Sequence, residues 1–340
     1  MQKKKVGIIG VSGYTGLCLL KILLAHPRFE LSYLANSQGQ MSLSAIHPQF
    51  LDVLDMDIHK ADVLEAKKCD VLFLALPHKS AMEFVKKLYA SGDSLPKIVD
   101  LSADYRLSAQ NYEATYCPHT DKENLANAIY GLPEYASEQI KNANLVANPG
   151  CYPTASLLAL LPFLPYIQSD GVFIDAKSGV SGAGKKLTDD THFPNINENL
   201  FAYSPFTHRH QIEIEEKCAL FGQVNLQINF VPHLTPLTRG MLVSVFATLK
   251  DSVDEDFEPL ELLKSHYANS QFIRISQDNV RISNVSGSNM CDILALRRGR
   301  ALFINSAIDN LMRGASSQAV VNANIMCGFP EDCGIPKVGI

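Results

Sequence analysis

The chain has 340 residues, of which 46% are hydrophobic and 19% charged, and carries a formal net charge of −5. That length predicts about two domains, the apolar content excludes a disordered chain, and the charge balance excludes the basic face that a nucleic-acid partner needs. No apolar run approaches the ~20 residues of a membrane span, and no apolar core of about 7–15 residues marks the N-terminus as a signal peptide.

Val6-Gly-Ile-Ile-Gly10 reads as a buried strand behind the basic edge Lys3-Lys4-Lys5, and residues 15–25 have helical spacing until His26-Pro27 stops it. Residues 29–35 read as the second strand, closing a βαβ unit of about thirty residues. The apolar run 71–76, ended by Pro77, suits a central parallel strand. An amphipathic helix follows over 79–89, then a strand over 97–101. This alternation predicts a Rossmann-type doubly wound parallel sheet over residues 1–147. Beyond Cys151 the pattern changes. The runs 171–178, 223–231, 241–249, 272–275 and 301–305 suggest a mixed or antiparallel sheet covered on one side by helices, an α+β domain over 148–307. Residues 307–327 have helical periodicity without proline.

Gly10-Val-Ser-Gly13-Tyr-Thr-Gly16 follows a strand and opens a helix. The spacing is GxxGxxG, yet it meets the needs of a dinucleotide loop: a tight turn, backbone close to pyrophosphate, and a helix packed on the sheet. The second strand ends in Ala35-Asn36-Ser37-Gln38, with no carboxylate to hold a ribose 2′-hydroxyl. Its absence favours NADP(H), with Asn36 and Ser37 available to the 2′-phosphate. No arginine follows to complete that contact.

Asn148-Pro149-Gly150-Cys151 is a turn that delivers a cysteine to the start of an apolar helix. Unpaired N–H groups and the helix dipole favour negative charge there, so the thiol tends toward the nucleophilic thiolate. The other seven cysteines are scattered, with no CxxC pair, which suits reduced thiols in a cytoplasm and offers no metal framework. In His208-Arg209-His210-Gln-Ile-Glu213, Glu213 lies one helical turn after His210 and is placed to orient its imidazole. The glycine-rich stretch 178–184 lacks the GK[ST] ending of a P-loop.

Ten segments together resemble the N-acetyl-γ-glutamyl-phosphate reductase family. They are GIIGVSGYTG (7–16), ALPHKSAM (75–82), DLSADYRL (100–107), YGLPE (130–134), NPGCYPTA (148–155), KSGVSGAGK (177–185), HRHQIEIE (208–215), PHLTPLTRGM (232–241), GSNMCDI (287–293) and DNLMRGASSQAV (309–320). The resemblance implies an aspartate-semialdehyde-dehydrogenase-like fold, with 148–307 as the α+β catalytic and dimerisation domain and a C-terminal helix, 308–340, that packs back on the nucleotide domain, and NADPH-dependent reductive dephosphorylation of an acyl phosphate to an aldehyde, a step of arginine biosynthesis. It implies Cys151 as nucleophile and either His208 or His210 as acid/base, with Glu213 in support; His208 is favoured, since His210 with Glu213 could equally be a supporting pair. Candidate cofactor contacts are Gly10, Ser12, Gly13, Tyr14, Thr15, Gly16, Ser37, Pro77, Gly182 and Asn310, the last toward the nicotinamide carboxamide or as a helix cap. Candidate substrate contacts are Arg106, Asn148, Ser178, Lys185, Arg209 and Arg239. No metal is expected. A small-molecule substrate and a homo-oligomer, dimer or tetramer, are.

Two alternatives remain at this stage. Aspartate-semialdehyde dehydrogenase shares the chemistry and usually reads Asn-Cys, not Pro-Gly-Cys, at the nucleophile. A non-catalytic NADP-binding regulator would have no use for both a helix-start cysteine and the HRHxxE cluster.

Overall fold

A computed structural model describes residues 2–92 and 94–339. The chain divides into two compact units: residues 1–149 with 315–335, and residues 150–314 with 336–340.

The first unit is built on an eight-stranded sheet. Its strands are β1 (Lys4–Ile9), β2 (Phe29–Asn36), β3 (Met41–Ser42), β4 (Asp57–Lys60), β5 (Val71–Leu74), β6 (Lys97–Asp100), β7 (Ile129–Tyr130) and β8 (Leu145–Ala147). The order is β3-β4-β2-β1-β5-β6-β8-β7. Every pairing is parallel except β3 with β4. The apolar runs read from the sequence are its centre: all four residues of β5 are buried, as are the last four of β1 and of β2. Strand order reverses between β1 and β5, which in open parallel sheets marks where ligands bind. The loops at that point follow β1 (residues 10–13) and β5 (residues 75–80). Helix Ser317–Met326 belongs to this unit and packs on helices Tyr14–Leu24 and Pro133–Asn142 and on β6.

The second unit has a seven-stranded mixed sheet in the order β10-β11-β9-β12-β15-β14-β13. Its strands are β9 (Val172–Gly179), β10 (Phe201–Ala202), β11 (Ile228–Thr235), β12 (Met241–Thr248), β13 (Ile273–Ile275), β14 (Cys291–Arg298) and β15 (Ala301–Ile308). β11 with β9 and β13 with β14 are parallel, the other pairs antiparallel. Helix Cys151–Leu160 packs on β12 and β15, and Pro259–His266 on β14. From Tyr152 to Leu160 every residue of the first of these helices is buried. The opposite face of the sheet carries a cross-strand apolar row: Phe173, Phe246, Phe303 and Leu296 are successive register neighbours on β9, β12, β15 and β14. Phe173, Phe246 and Leu296 are each about half exposed.

Two sequence expectations are corrected. The strand expected over 223–231 starts only at Ile228, because helix His210–Gly222 ends with Gln223 in the left-handed region, φ 55°. The helix expected over 307–327 begins later. Pairing with β12 and β14 carries β15 to Ile308, a π-helical turn spans Met312–Ser316, and the α-helix runs Ser317–Met326. Beyond it Gly328, in the left-handed region at φ 70°, and Pro330 forbid continuation, so residues 327–339 are turns and irregular chain and not part of a helix to 340. Among the described residues no helix is long and apolar enough to cross a membrane.

Candidate active site

In the first unit the glycine loop is a cradle that side chains would fill. Gly10 has φ +96°, and a Cβ there would lie 2.2 Å from Ala75 O, so the β1 and β5 loops touch through a residue that has to be glycine. A Cβ on Gly16 would lie 2.6 Å from Gly10 O, which fixes the close seating of the helix on the loop. Gly13 is the N-cap of helix Tyr14–Leu24, with no side-chain cap and no acidic residue in the first turn, and a Cβ there would approach only Gly10 O, at 3.9 Å. An open, uncapped helix N-terminus is an anion site. The residues present therefore fit a dinucleotide pyrophosphate, with Ser12 on the same loop and Tyr14 and Thr15 opening the helix.

Asn36 shapes this cradle. Its Nδ2 donates to Ser12 Oγ at 3.0 Å, and its Oδ1 accepts from Gln38 N–H at 2.9 Å and Gly39 N–H at 2.6 Å. The amide expected to meet a 2′-phosphate is committed to the loop, whereas Ser37 is exposed, as is Pro77 in the β5 loop. Lys79 in the same loop has φ +75°, held by its N–H donating to Asp104 Oδ1 at 2.7 Å. Arg106 and Asn148, candidate substrate contacts, are buried, and each makes bonds that brace the backbone. Arg106 Nε donates to Asn148 O and Nη2 to Leu101 O, both at 2.8 Å. Asn148 Nδ2 donates to Ala315 O at 3.2 Å, and its Oδ1 accepts from Asn322 Nδ2 at 3.1 Å. Both hold the backbone that leads into Cys151.

In the second unit Cys151 is the first residue of helix Cys151–Leu160. Gly150 caps it without a side chain, and the first turn holds no acidic residue. Thr154 N–H and Oγ1 both donate to Gly150 O, at 2.9 Å each. The thiol is partly exposed at the positive end of a buried helix, the setting that favours thiolate. Glu213, only 1% exposed, accepts from Gly150 N–H at 2.9 Å. Spacing alone had aimed this carboxylate at His210, and the fold gives it a second target on the turn that leads into Cys151. Gly314 closes the other side: a Cβ there would lie 2.6 Å from Cys151 Cβ. Its N–H donates to Asp309 O at 3.0 Å across the π-turn. A glycine inside a helical pattern was the available sequence signal for this close approach, and π-turns concentrate at functional sites.

The two histidines meet the same helix through Tyr152. The Tyr152 ring lies 5.6 Å from His208 and 5.7 Å from His210, whose rings are 4.9 Å apart. Tyr152 OH donates to His233 O at 3.2 Å and lies 3.2 Å from Tyr203 OH. Burial pushes the Tyr203 phenol up to about 12 and raises that of Tyr152 further, so both stay protonated. His208 Nδ1 accepts from His210 N–H at 3.1 Å, which puts the proton of neutral His208 on Nε2. Burial, helped by the Arg209 charge, lowers His208 to about 4. Arg209 itself is exposed at the head of helix His210–Gly222.

A third group adjoins this one. Asp309, fully buried, accepts from Gly287, Leu311 and Met312 N–H and pairs with Arg239 at 3.4 Å. Asn310 Oδ1 accepts from Gly240 N–H at 2.7 Å and its Nδ2 donates to Ser181 Oγ at 3.0 Å. Asn310 therefore lies before the helix rather than early in it, tying the Arg239-Gly240 turn to the loop that carries Gly182. Ser178 is buried and donates to Gly179 O, and a Cβ on Gly182 would lie 2.7 Å from Ser178 Oγ. Lys185 is exposed beyond that loop. Among the described residues no group of three or more His, Cys, Asp or Glu could hold a metal ion.

Residues 5–143 match the semialdehyde dehydrogenase NAD binding domain, and residues 151–310 match the semialdehyde dehydrogenase dimerisation domain. An aspartate semialdehyde dehydrogenase II structure from Vibrio cholerae superposes with TM-score 0.73 at 15% identity, covering 96% of this chain and 99% of that one, a likeness of fold. The N-acetyl-gamma-glutamyl-phosphate reductase of Wolinella succinogenes is 59% identical over 339 residues, 99% of this chain and 98% of that protein. The namesake from Sulfurovum sp. is 54% identical over 336 residues, 98% of each. At that identity, over nearly the whole length, the chain belongs to the N-acetyl-γ-glutamyl-phosphate reductase family.

Proposed function

We propose that this protein reduces N-acetyl-γ-glutamyl phosphate with NADPH to the semialdehyde and inorganic phosphate, in arginine biosynthesis. The observation that carries the reading is Cys151 at an uncapped, buried helix N-terminus whose turn is held by Glu213, in a chain of this family. The thiolate attacks the acyl carbon, phosphate leaves, and a thioester to Cys151 forms. Gly10, Ser12, Gly13, Tyr14, Thr15 and Gly16 would hold the dinucleotide phosphates, and the bound nicotinamide supplies the hydride that reduces the thioester. His210 protonates the oxygen that becomes a hydroxyl and takes that proton back as the carbon–sulfur bond breaks, releasing aldehyde and restoring the thiolate. Arg239, steadied by Asp309, and Arg209 are the cations for the substrate's carboxylate and phosphate. The eight unbridged cysteines suit a reducing cytoplasm.

The test runs the reaction in reverse. N-acetylglutamate semialdehyde with inorganic phosphate and NADP⁺ should give NADPH absorbance that depends on phosphate, and aspartate semialdehyde should give little. Equal rates with both aldehydes would move the substrate assignment, and no phosphate dependence would remove the acyl-phosphate step.

The same reading makes the open face of the second unit's sheet the contact between copies in a homodimer or tetramer. The row Phe173, Phe246, Phe303 and Leu296 is the apolar patch such a contact needs. Phe246→Glu should lower the mass seen by light scattering at equal concentration. An unchanged mass would place the interface elsewhere.

A further inference from the structure

We infer that Lys60 is the cation that recognises the 2′-phosphate of NADP(H), a specificity residue supplied by β4 because the β2 turn has none. The inference rests on the nucleotide reading above. Residues 36–42 are Asn-Ser-Gln-Gly-Gln-Met-Ser, without Lys or Arg. The end of the second strand is where a doubly wound sheet meets the ribose 2′ position, so a phosphate there would find hydroxyl and amide groups and no charge from this segment.

The sheet brings the missing charge from elsewhere in the chain. β4 runs parallel beside β2, with Ala35 opposite His59 and Asn36 opposite Lys60, and Ala61 N–H donates to Asn36 O at 3.0 Å. Lys60 therefore ends its strand level with Asn36, at the carboxyl edge where the glycine loop also lies. The turn after β2 is folded down onto it. Gly39 has φ +71°, and a Cβ there would lie 2.3 Å from Lys60 N, so only glycine lets this turn sit against the lysine backbone. Asn36 secures the arrangement from both sides, accepting from Gly39 N–H at 2.6 Å and donating to Ser12 Oγ at 3.0 Å. Ser12, Asn36, Gly39 and the Lys60 backbone thus form a continuous path from the pyrophosphate loop to Lys60, an exposed residue, as is Ser37.

Nearby carboxylates do not neutralise this lysine. Asp57, Asp62 and Glu65 line the same surface hollow. Asp62 accepts from Leu64 N–H at 2.8 Å and Glu65 N–H at 3.0 Å, capping helix Val63–Ala66, and Glu65 pairs with Lys68 at 2.6 Å. Among the described residues Lys60 enters no ion pair. A phosphate dianion would gain a charge-assisted contact that a ribose hydroxyl does not, and loss of such a contact is expected to cost about tenfold or more in affinity.

The experiment titrates the full-length protein with 2′,5′-ADP and with 5′-AMP by calorimetry, for wild type, Lys60→Ala and Lys60→Arg. Wild type should prefer 2′,5′-ADP by about tenfold or more. Lys60→Ala should weaken 2′,5′-ADP by about that factor, leave 5′-AMP within about twofold, and raise KM for NADPH with kcat at saturation unchanged. Lys60→Arg should restore the preference. An unchanged 2′,5′-ADP affinity in Lys60→Ala, or an equal loss for both probes, overturns the assignment of Lys60. Wild type that binds neither probe would overturn the nucleotide reading itself, a different result from either.

Discussion

Cys151→Ser should lose turnover by roughly 10³–10⁶-fold, the range seen when an enzyme's nucleophile is removed, while dinucleotide binding persists. The serine hydroxyl keeps the size of the thiol but not its acidity, and the helix N-terminus that favours a thiolate does little for an alkoxide. Gly150, Thr154 and Glu213 would still form the turn, since the bonds from Gly150 N–H to Glu213 and from Thr154 Oγ1 to Gly150 O do not use the sulfur. The loss should therefore fall on chemistry and not on folding, and the melting temperature should move little. Two measurements check this. Single-turnover kinetics should show no acyl-enzyme and no phosphate burst in the variant. Limited alkylation of the wild type should label Cys151 well ahead of the other cysteines. Cys218 and Cys327 give the contrast, because burial pushes their thiols up to about 12 and about 11. Substantial turnover in Cys151→Ser would rule out covalent catalysis through this residue.

The first unit was the more legible from sequence, and for a physical reason. A parallel strand buried on both faces reads as an uninterrupted apolar run, so β1, β5 and β6 announce themselves. The short strands β4, β7 and β8 do not: Asp57–Lys60 has one buried residue in four and is a strand only because β2 lies beside it. Lys60 was invisible for the same reason, since its relation to Asn36 is a matter of strand register, not of spacing along the chain. The glycines of the nucleotide loop were legible because their demand is local. Gly314 was not, because its demand comes from Cys151, 163 positions away in sequence and in contact only through the fold. Glu213 shows the limit of helical spacing as a guide: i to i+3 pointed to His210, and the carboxylate also reaches Gly150 N–H. Arg106 and Asn148 were read as ligands on their charge and amide. That they also brace the backbone ahead of Cys151 is visible only in the fold. Asn310 was placed in a helix because the apolar period of β15 merges with that of the last helix, and pairing with β12 decides where one ends.

His210→Asn should lower kcat by about 10²–10⁴-fold, the usual worth of a general acid–base group, and His208→Asn should cost far less. The sequence favours His208, leaving His210 to a supporting pair with Glu213, and the hydrogen bonds point the other way. His208 Nδ1 is occupied by His210 N–H, so the neutral ring presents an Nε2–H donor and no lone pair with which to take a proton. Burial and Arg209 lower its pKa to about 4, so it remains in that form throughout the neutral range. A group so placed can orient a neighbour or donate a hydrogen bond, but it is ill-suited to accept the thiohemiacetal proton near neutral pH. The proposed acid/base role therefore goes to His210, packed on the ring of Tyr152, the residue after Cys151. The depressed pKa has a second consequence with a definite sign. The unfolded chain protonates this ring near 6.5 and the folded protein only near 4, so acid is bound preferentially by the unfolded state between those values. Stability should therefore fall as pH drops from about 6.5 toward about 4, and the fall should be shallower in His208→Asn, read from melting temperatures across that window. Pre-steady-state rates for both variants against pH complete the test. If His208→Asn shows the large kcat loss and His210→Asn does not, or if the acidic limb of kcat sits near 4 and vanishes with His208, the proton passes through His208 and the tautomer argument fails.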